Sequence, residues 1–300
     1  MIAAMQPNVF IIGCGSIGKR TAQLIQNKLP NSISALSHSE HSIEELAARR
    51  IKPIRGDLDN PISLTNISIS PTHVFYFAPP PNSGIMDSRM NNALGLLKNY
   101  STLKRITYIS TTGIYGDHQG NWITEDSPIN PMSDRAKRRL NGEKQLIDHC
   151  TKTGIEYIIL RVPGIYCLEK LPIDRIQRGV KILPPEIAPF SNRIYADDLA
   201  NICVTAMFDG PKNELFNVAD GNPSSISDYF LKIADIFNLT KPTIISRQQA
   251  DKELSPGMLS YLNESKRIHP TKLLNTLNIT LRYPNLASGL QACVEERKNL

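Results

Sequence analysis

A glycine-rich segment near the start of the chain has the spacing that a bound pyrophosphate requires. Gly13, Gly15 and Gly18 form a G-x-G-x-x-G pattern between an apolar run and a helical one. In such a loop the first glycine permits a tight turn, the second lets the backbone approach the pyrophosphate, and the third lets helix and strand pack closely. The pattern predicts dinucleotide binding at the start of the helix, and a purely structural glycine turn is the alternative.

The same segment also begins the G-x-x-x-x-G-K pattern of nucleoside triphosphatases. Lys19 completes that pattern, but the next residue is Arg20 rather than Ser or Thr. The missing hydroxyl would be a ligand of the magnesium ion that accompanies a triphosphate. We therefore exclude this class of nucleotide-binding protein.

The choice between the two nicotinamide dinucleotides depends on the end of the second strand. A carboxylate there would bind the ribose 2′-hydroxyl and repel a 2′-phosphate. The residues present are Ser37, His38 and Ser39, and the first acid is Glu40. Two hydroxyls and an imidazole can hold a phosphate, so we predict NADP in preference to NAD. Three solvated loop residues without a binding role are the alternative.

The elements that position these residues alternate along the first half of the chain. Apolar runs predict strands at 9–12, 33–36, 51–55, 73–77, 105–110 and 156–160. Helical spacing predicts a helix after the glycines, with Ile17, Thr21, Leu24 and Ile25 on its buried face, and further helices over 133–152, 197–208 and 226–237. Such alternation indicates the α/β class with a doubly wound parallel sheet.

Composition and charge narrow the class of protein further. Hydrophobic residues make up 41% of the 300 residues and charged residues 21%, which excludes a disordered chain. The net charge of +6 indicates an anionic partner. No nucleic-acid-binding motif accompanies the basic residues, so we predict no nucleic-acid partner.

The sequence also argues against a membrane, metal or disulfide protein. No apolar run approaches the ~18 residues that cross a bilayer. The five cysteines are scattered, without a C-x-x-C pair or a Cys/His cluster. We therefore predict no metal site, no membrane partner and a cytoplasmic location.

Several motifs, in the right order, resemble those of the extended short-chain dehydrogenase/reductases, also called the NAD-dependent epimerase/dehydratase group. Besides the glycine loop they are Gly56-Asp57-Leu58, Ser110-Thr111-Thr112-Gly113-Ile114-Tyr115-Gly116, Arg161-Val162-Pro163-Gly164-Ile165-Tyr166, Asn192-Arg193-Ile194-Tyr195-Ala196-Asp197-Asp198-Leu199-Ala200 and Phe216-Asn217-Val218-Ala219. The segments 263–268 and 281–284 resemble an atypical bacterial subgroup, the YeeZ-like proteins.

The resemblance implies a Rossmann-type fold with a small C-terminal substrate subdomain. The expected NAD(P)-binding domain is 1–165 with 194–219, and the expected substrate subdomain is 166–193 with 220–300. In the family, the residue at Asp57 contacts adenine. The implied cofactor-binding residues are Gly13, Gly15, Ser16, Ile17, Gly18, Ser37, His38, Ser39, Asp57, Leu58, Ala78, Pro79, Arg139 and Pro163.

The catalytic positions that the resemblance implies are only partly filled. Thr111 occupies the Ser/Thr position, where a hydroxyl would polarise the substrate; a strand-end hydroxyl that binds backbone is the alternative. Counting back from Glu143, the Tyr and Lys of the family's Y-x-x-x-K motif are replaced by Arg135 and Arg139. Arginine does not deprotonate in proteins. Loss of a positioned acid/base costs about 10²–10⁴-fold, so the usual route is disfavoured.

Two arginines one helical turn apart offer forked donors for phosphate or carboxylate. We predict that Arg135 and Arg139 bind the cofactor phosphates or an anionic substrate. A solvated basic face is the alternative, and it fits Lys137 and Arg138 better.

If the protein is an enzyme, a residue outside the Y-x-x-x-K position must supply the acid/base group. Tyr115 and His118 are the candidates, because both follow Thr111 closely in the chain. A packing tyrosine and a loop histidine are the alternative interpretations.

Two functions remain open. The first is an NAD(P)-dependent oxidoreductase or epimerase that acts on a nucleotide sugar or another small alcohol or ketone. The second is a non-catalytic dinucleotide sensor or regulatory protein. The glycines fit both, the missing Tyr and Lys favour the second, and the hydroxyls of Thr111 and Thr112 favour the first. The resemblance further implies a homodimer formed through the helix that bears Arg135.

Overall fold

Strands and helices alternate along the chain. The structure is a computed structural model that describes residues 6–30 and 32–299. Its strands are β1 Val9–Ile12, β2 Ile33–Ser37, β3 Lys52–Arg55, β4 His73–Tyr76, β5 Arg105–Thr111, β6 Trp122–Ile123, β7 Glu156–Val162, β8 Gly164–Tyr166, β9 Lys181–Ile182, β10 Phe190–Ser191, β11 Arg193–Tyr195, β12 Glu214–Asn217, β13 Ser224–Ser225, β14 Thr243–Ile244 and β15 Arg267–Ile268.

The observed helices are α1 Ser16–Gln26, α2 Glu40–Ala48, α3 Ser88–Leu97, α4 Asp134–Thr153, α5 Ile173–Gln177, α6 Ala196–Phe208, α7 Ile226–Ile236, α8 Arg247–Glu253, α9 Pro256–Leu262, α10 Thr271–Leu277 and α11 Leu286–Lys298. The predicted helix after the glycines is confirmed as α1, and those over 133–152, 197–208 and 226–237 are confirmed as α4, α6 and α7 within one residue of the predicted bounds. The sequence analysis did not predict α2 and α3. Within the described residues, no helix has the length and apolar character needed to span a membrane.

Contacts between residues divide the chain into two units. Unit 1 contains the residues up to Ile114 together with Asp134–Arg161 and Leu199–Phe216. Unit 2 contains Tyr115–Ser133, Val162–Asp198 and the residues from Asn217 onward. Each unit is therefore assembled from separated segments of the chain.

Unit 1 is built on a seven-stranded sheet in the order β12-β7-β5-β4-β1-β2-β3. Pairing is parallel from β5 to β3, and Ile12 of β1 is in register with Leu36 of β2 and Tyr76 of β4. Every residue of β1 is buried, as expected for a central parallel strand that is apolar throughout. The predicted Rossmann-type α/β class is confirmed, and the carboxyl ends of these strands share one edge.

Helix α1 buries Ile17, Thr21 and Ile25 as predicted, but Ala22 rather than Leu24 completes the buried face. A methyl group at Gly18 would lie 3.2 Å from the Gly13 carbonyl oxygen. The third glycine therefore lets α1 pack tightly on the loop that precedes it.

Helix α4 carries charge on its buried face. The Glu143 carboxylate accepts hydrogen bonds from Nε and Nη2 of Arg161 at 3.2 and 2.9 Å. Only 3% of the Glu143 side chain and 6% of the Arg161 side chain are exposed. The apolar pattern of the sequence does not reveal this buried ion pair, which links α4 to β7.

Unit 2 consists of short two-stranded sheets and helices. β8 pairs with β11 and β6 pairs with β15, both in parallel. The Asp198 carboxylate accepts the backbone N–H groups of Arg282 and Tyr283 at 2.9 and 2.8 Å. These bonds join two sequence motifs that lie far apart along the chain.

His73, the first residue of β4, makes stability depend on pH. Burial, followed by the positive charges of Arg105 and Lys104, lowers the pKa of His73 to about 4. The unfolded chain, with a histidine pKa near 6.5, binds this proton more tightly than the folded protein. We therefore expect the contribution to be fully present above about pH 6.5, and about 1–3 kcal/mol of stability to be lost as pH falls towards 4.

Urea unfolding at pH 7.5 and pH 4.5 measures this loss. His73→Asn removes the titrating group, so its stability should fall less between the two pH values than that of the wild type. His41→Asn, at an exposed position on α2, is the control and should follow the wild type. Equal losses in His73→Asn and the wild type would contradict the assignment.

Candidate functional site

Gly13 turns the chain at the carboxyl end of β1 with a φ of +90°. A methyl group at this position would lie 2.3 Å from the backbone nitrogen of Ala78, just beyond β4. The left-handed backbone and the close contact both require glycine. The glycine loop is therefore pressed against the segment that contains Ala78 and Pro79.

Gly15 has a different task in the same loop. It is the N-cap of α1 in an extended conformation, with φ −80° and ψ −150°. A methyl group here would meet no described atom within 4 Å. The first N–H groups of a helix lack partners within the helix and favour an anion. The first turn of α1 contains no acidic residue that would repel an anion. Both the open space in front of Gly15 and the local charge are therefore compatible with the pyrophosphate of a dinucleotide.

Lys19 and Cys14 lie beside the glycines, and neither side chain prevents an anion from binding there. Nζ of Lys19 lies 2.5 Å from Oε1 of Glu45 on α2, so it forms an ion pair within unit 1. Burial raises the pKa of the Cys14 thiol to about 12. This cysteine therefore stays protonated and adds no negative charge beside the anion site.

The three predicted cofactor residues at the end of β2 differ in their exposure to solvent and in their hydrogen bonds. Ser37 is buried and His38 is exposed. The Ser39 hydroxyl accepts the N–H of Ser42 at 3.3 Å and donates to the Ser42 hydroxyl at 2.8 Å, so Ser39 caps α2. Of the three predicted cofactor residues here, His38 is the one whose side chain is directly open to solvent.

The loop after β3 is fixed by hydrogen bonds within and beyond it. Oδ1 of Asp57 accepts the N–H of Asp59 at 2.9 Å. Asp59 binds Nε and Nη2 of Arg89 at 2.7 and 2.5 Å, and these bonds lower the pKa of Asp59. Arg89 also donates to the Pro79 carbonyl at 3.1 Å. Arg89, which the sequence analysis missed, thus ties together the loops that carry Asp57 and Pro79.

Helix α3 makes a second link to the β3 loop. Nδ2 of Asn92 donates to the carbonyl of Leu58 at 2.8 Å. No motif marks Arg89 or Asn92, and only their spacing of one helical turn puts them on the same face of α3.

Arg139 lies at the carboxyl ends of β4 and β5. Its Nη1 donates to the carbonyls of Ile109 and Ala78 at 2.9 and 3.2 Å, and approaches the Tyr108 hydroxyl at 3.4 Å. Its Nε and Nη2 form no hydrogen bond with any described residue. The guanidinium is therefore held on one side and offers two further donors on the other.

The remaining basic residues of α4 follow the prediction only in part. Lys137 is exposed, as expected for a solvated face. The same expectation is wrong for Arg138, which is 7% exposed and donates through Nη1 to the Gly84 carbonyl at 2.5 Å. The segment around Gly84 covers this side of α4, which helical spacing alone does not indicate. Arg135 is exposed.

Thr111 ends β5 and is partly buried. Its Oγ1 accepts the N–H of Gly113 at 3.1 Å. The hydroxyl proton donates to no described residue. The side chain therefore supports the local backbone and still has a donor to offer.

The two acid/base candidates belong to unit 2. Tyr115 is fully buried, and its hydroxyl donates to Oδ1 of Asn217 at 2.8 Å. His118 is partly buried, with Nε2 at 3.2 Å from the Pro128 carbonyl. The two rings meet edge to face with centroids 6.3 Å apart. Pro163, the remaining cofactor candidate of unit 2, is partly buried just before β8.

The C-terminal motif holds the loop that contains these candidates. Nζ of the buried Lys266 donates to the Gly116 carbonyl at 2.7 Å and lies 3.1 Å from Glu264. The Ser265 carbonyl accepts the N–H of His118 at 3.0 Å. Segment 263–268 is therefore structural support for the loop at 115–118.

The structure thus brings together the predicted residues of unit 1 and leaves Tyr115, His118 and Pro163 in unit 2. In residues 6–30 and 32–299, no group of three or more His, Cys, Asp and Glu side chains has the arrangement of a metal site.

A sequence model of the NAD dependent epimerase/dehydratase family matches residues 9–219. The chain belongs to this family.

Individual curated proteins match this chain over about half its length and with low sequence identity. A Methanocaldococcus jannaschii protein, provisionally named UDP-glucose 4-epimerase, is 27% identical over 151 residues, which cover 46% of this chain and 48% of that protein. The chain thus spans about half the length of this curated relative.

Solved structures extend the likeness over the whole chain. A Silicibacter pomeroyi protein of unknown function is 23% identical with a TM-score of 0.81, over 96% of this chain and 98% of its own. The Thermotoga maritima UDP-glucose 4-epimerase, solved with UDP-glucose, is 19% identical with a TM-score of 0.78, over 97% and 99%. At these identities the likeness shows the fold.

Proposed function

We propose that unit 1 binds NAD(P) and that the protein is an oxidoreductase or epimerase acting on a nucleotide sugar or a similar small alcohol or ketone. The contrast between two glycines is the observation that carries the proposal. Gly13 is packed against Ala78, while Gly15 faces open space at the start of α1. A turn that served structure only would not need this second, unfilled position.

The other proposed cofactor contacts lie at the carboxyl ends of the strands of unit 1. We assign adenine to Asp57, the adenosine ribose to segment 37–39, and the nicotinamide half to Ala78, Pro79 and the free donors of Arg139. When bound, the nicotinamide ring supplies hydride transfer to or from a carbon atom of the substrate. Pro163 is a further proposed contact of the cofactor, and the predicted subdomain of 166–193 and 220–300 would hold the substrate.

Thr111 is our candidate for polarising the substrate. Its free hydroxyl proton suits a hydrogen bond to a carbonyl or hydroxyl oxygen. For proton transfer we prefer His118 over Tyr115, because the Tyr115 hydroxyl is buried and bonded to Asn217. The exposed Arg135 has the charge to bind the phosphates of a nucleotide sugar.

Cofactor titration followed by a substrate assay tests this proposal. NADH and NADPH binding would be measured by nicotinamide fluorescence, and UDP-glucose and related sugars would then be incubated with the protein. Because epimerisation causes no net oxidation, the sugar products must be separated as well as the absorbance followed. The proposal would be wrong if neither cofactor bound.

A non-catalytic dinucleotide-binding protein is the second candidate. It is favoured by Arg135 and Arg139 at the positions of the family's Tyr and Lys, and by the use of Arg139 Nη1 on backbone carbonyls. Tight cofactor binding without turnover of any sugar in the panel would support this function over the first.

Substitution of Thr111 separates the two candidates within one protein. If the protein is an enzyme, Thr111→Val should lower kcat/KM about 10²–10³-fold because one oriented donor is lost. Stability should fall by only about 1 kcal/mol, since one partly buried hydrogen bond is removed. Thr111→Ser, which keeps the hydroxyl, is the matched control. Activity equal to wild type in Thr111→Val would refute the role.

A further inference from the structure

Arg55 and Glu40 form an exposed ion pair at the carboxyl ends of β2 and β3. Arg55 is the last residue of β3 and is in register with Ser37, the last residue of β2. Nη2 of Arg55 contacts Oε1 of Glu40, and 63% and 72% of the two side chains are exposed. The guanidinium therefore lies beside the segment that follows β2.

A dinucleotide with its pyrophosphate at the start of α1 places its adenosine ribose over the end of the second strand. In this sheet β2 lies between β1 and β3. The 2′-oxygen of that ribose would thus lie near the ends of β2 and β3, within the range of Arg55. A phosphate on this oxygen adds negative charge and several acceptor oxygens.

Two neighbouring polar side chains, Ser39 and Asp59, are already engaged, whereas His38 is open to solvent. The Ser39 hydroxyl caps α2, and the Asp59 carboxylate is occupied by two nitrogens of Arg89. Arg55, by contrast, contacts one carboxylate among the described residues. An exposed ion pair of this kind contributes little to stability, so a ligand can break it at small cost.

A phosphate is a better partner for Arg55 than the Glu40 carboxylate. Guanidinium donates two parallel hydrogen bonds to phosphate, and charge-assisted bonds of this type are among the strongest in proteins. We propose that Arg55 recognises the 2′-phosphate of NADP(H) and that this phosphate displaces Glu40. The inference rests on the proposed function, because it requires a dinucleotide at the glycine loop.

Dissociation constants of the full chain for NADPH and NADH test the inference. Arg55→Ala should weaken NADPH binding about tenfold or more, because a charge-assisted bond is lost, and should change NADH binding less than about twofold. Glu40→Gln should strengthen NADPH binding, since it removes both the competitor for Arg55 and a nearby negative charge. Lys52→Ala removes one positive charge from the exposed start of the same strand, and should leave both constants unchanged.

The outcomes separate this inference from the proposed function. Equal effects of Arg55→Ala on both cofactors, or no effect on either, would overturn the role of Arg55 while leaving dinucleotide binding intact. Wild-type protein that binds NADH but not NADPH would do the same. Binding of neither cofactor would overturn both proposals.

Discussion

Glu143→Ala is expected to lower the free energy of unfolding by about 3–5 kcal/mol, because it leaves the guanidinium of Arg161 buried without its counter-charge. The two side chains are almost completely removed from solvent and share two hydrogen bonds. The loss should appear in urea unfolding as a lower midpoint with an unchanged slope. A change below about 1 kcal/mol would show that the pair is dispensable.

The same helix provides a matched control. Asp148 and Lys152 on α4 also form an ion pair, at 2.7 Å, but 63% and 71% of their side chains are exposed. Asp148→Ala should cost no more than about 0.5 kcal/mol, since water and salt screen an exposed pair. The contrast between the two variants isolates the effect of burial.

Gly13→Ala and Gly15→Ala are expected to fail in different ways. The first should destabilise the fold by about 2–5 kcal/mol, because its Cβ lies against the backbone of Ala78 and its φ is positive. The second should leave unfolding within about 1 kcal/mol of wild type, because its conformation suits other residues and its Cβ meets no described atom. Its Cβ should nevertheless weaken NADH and NADPH binding at least about tenfold by obstructing the approach of the pyrophosphate.

Thermal unfolding and cofactor titration on both variants measure these effects. Because Gly13→Ala is the variant at risk of not folding, the decisive measurement is the affinity of Gly15→Ala. Normal cofactor affinity in a stable Gly15→Ala protein would mean that the open space is not the pyrophosphate site.

The sequence predicted the sheet of unit 1 well because the pattern there is local. Strand β1 was placed at its observed bounds, since a buried parallel strand reads as an unbroken apolar run. Helix α4 was placed within one residue at each end. Its buried face was harder to predict, because Glu143 and Arg138 are stabilised inside the protein by partners from distant segments.

Some residues of the candidate site could be predicted from the sequence and others could not. Gly13 and Gly15 could be found from the spacing of the glycine motif, which marks a tight turn at Gly13 and space for a ligand at Gly15. Arg89 could not, since its importance comes from Asp59 and Pro79, which reach it only through tertiary structure. The role of Thr111 is implied by the family resemblance, and those of Tyr115 and His118 by residue type and closeness to Thr111 in the chain. All three roles stay predictions.

The support that segment 263–268 gives to the loop at 115–118 has a consequence for synthesis on the ribosome. Gly116 and Lys266 are 150 residues apart in the chain. At a translation rate of about 5–20 residues per second, Lys266 is synthesised on the order of 8–30 s after Gly116. Tyr115 and His118 therefore emerge long before the segment that fixes their loop. Until segment 263–268 has been made, the loop at 115–118 lacks its bonds to Lys266 and Ser265.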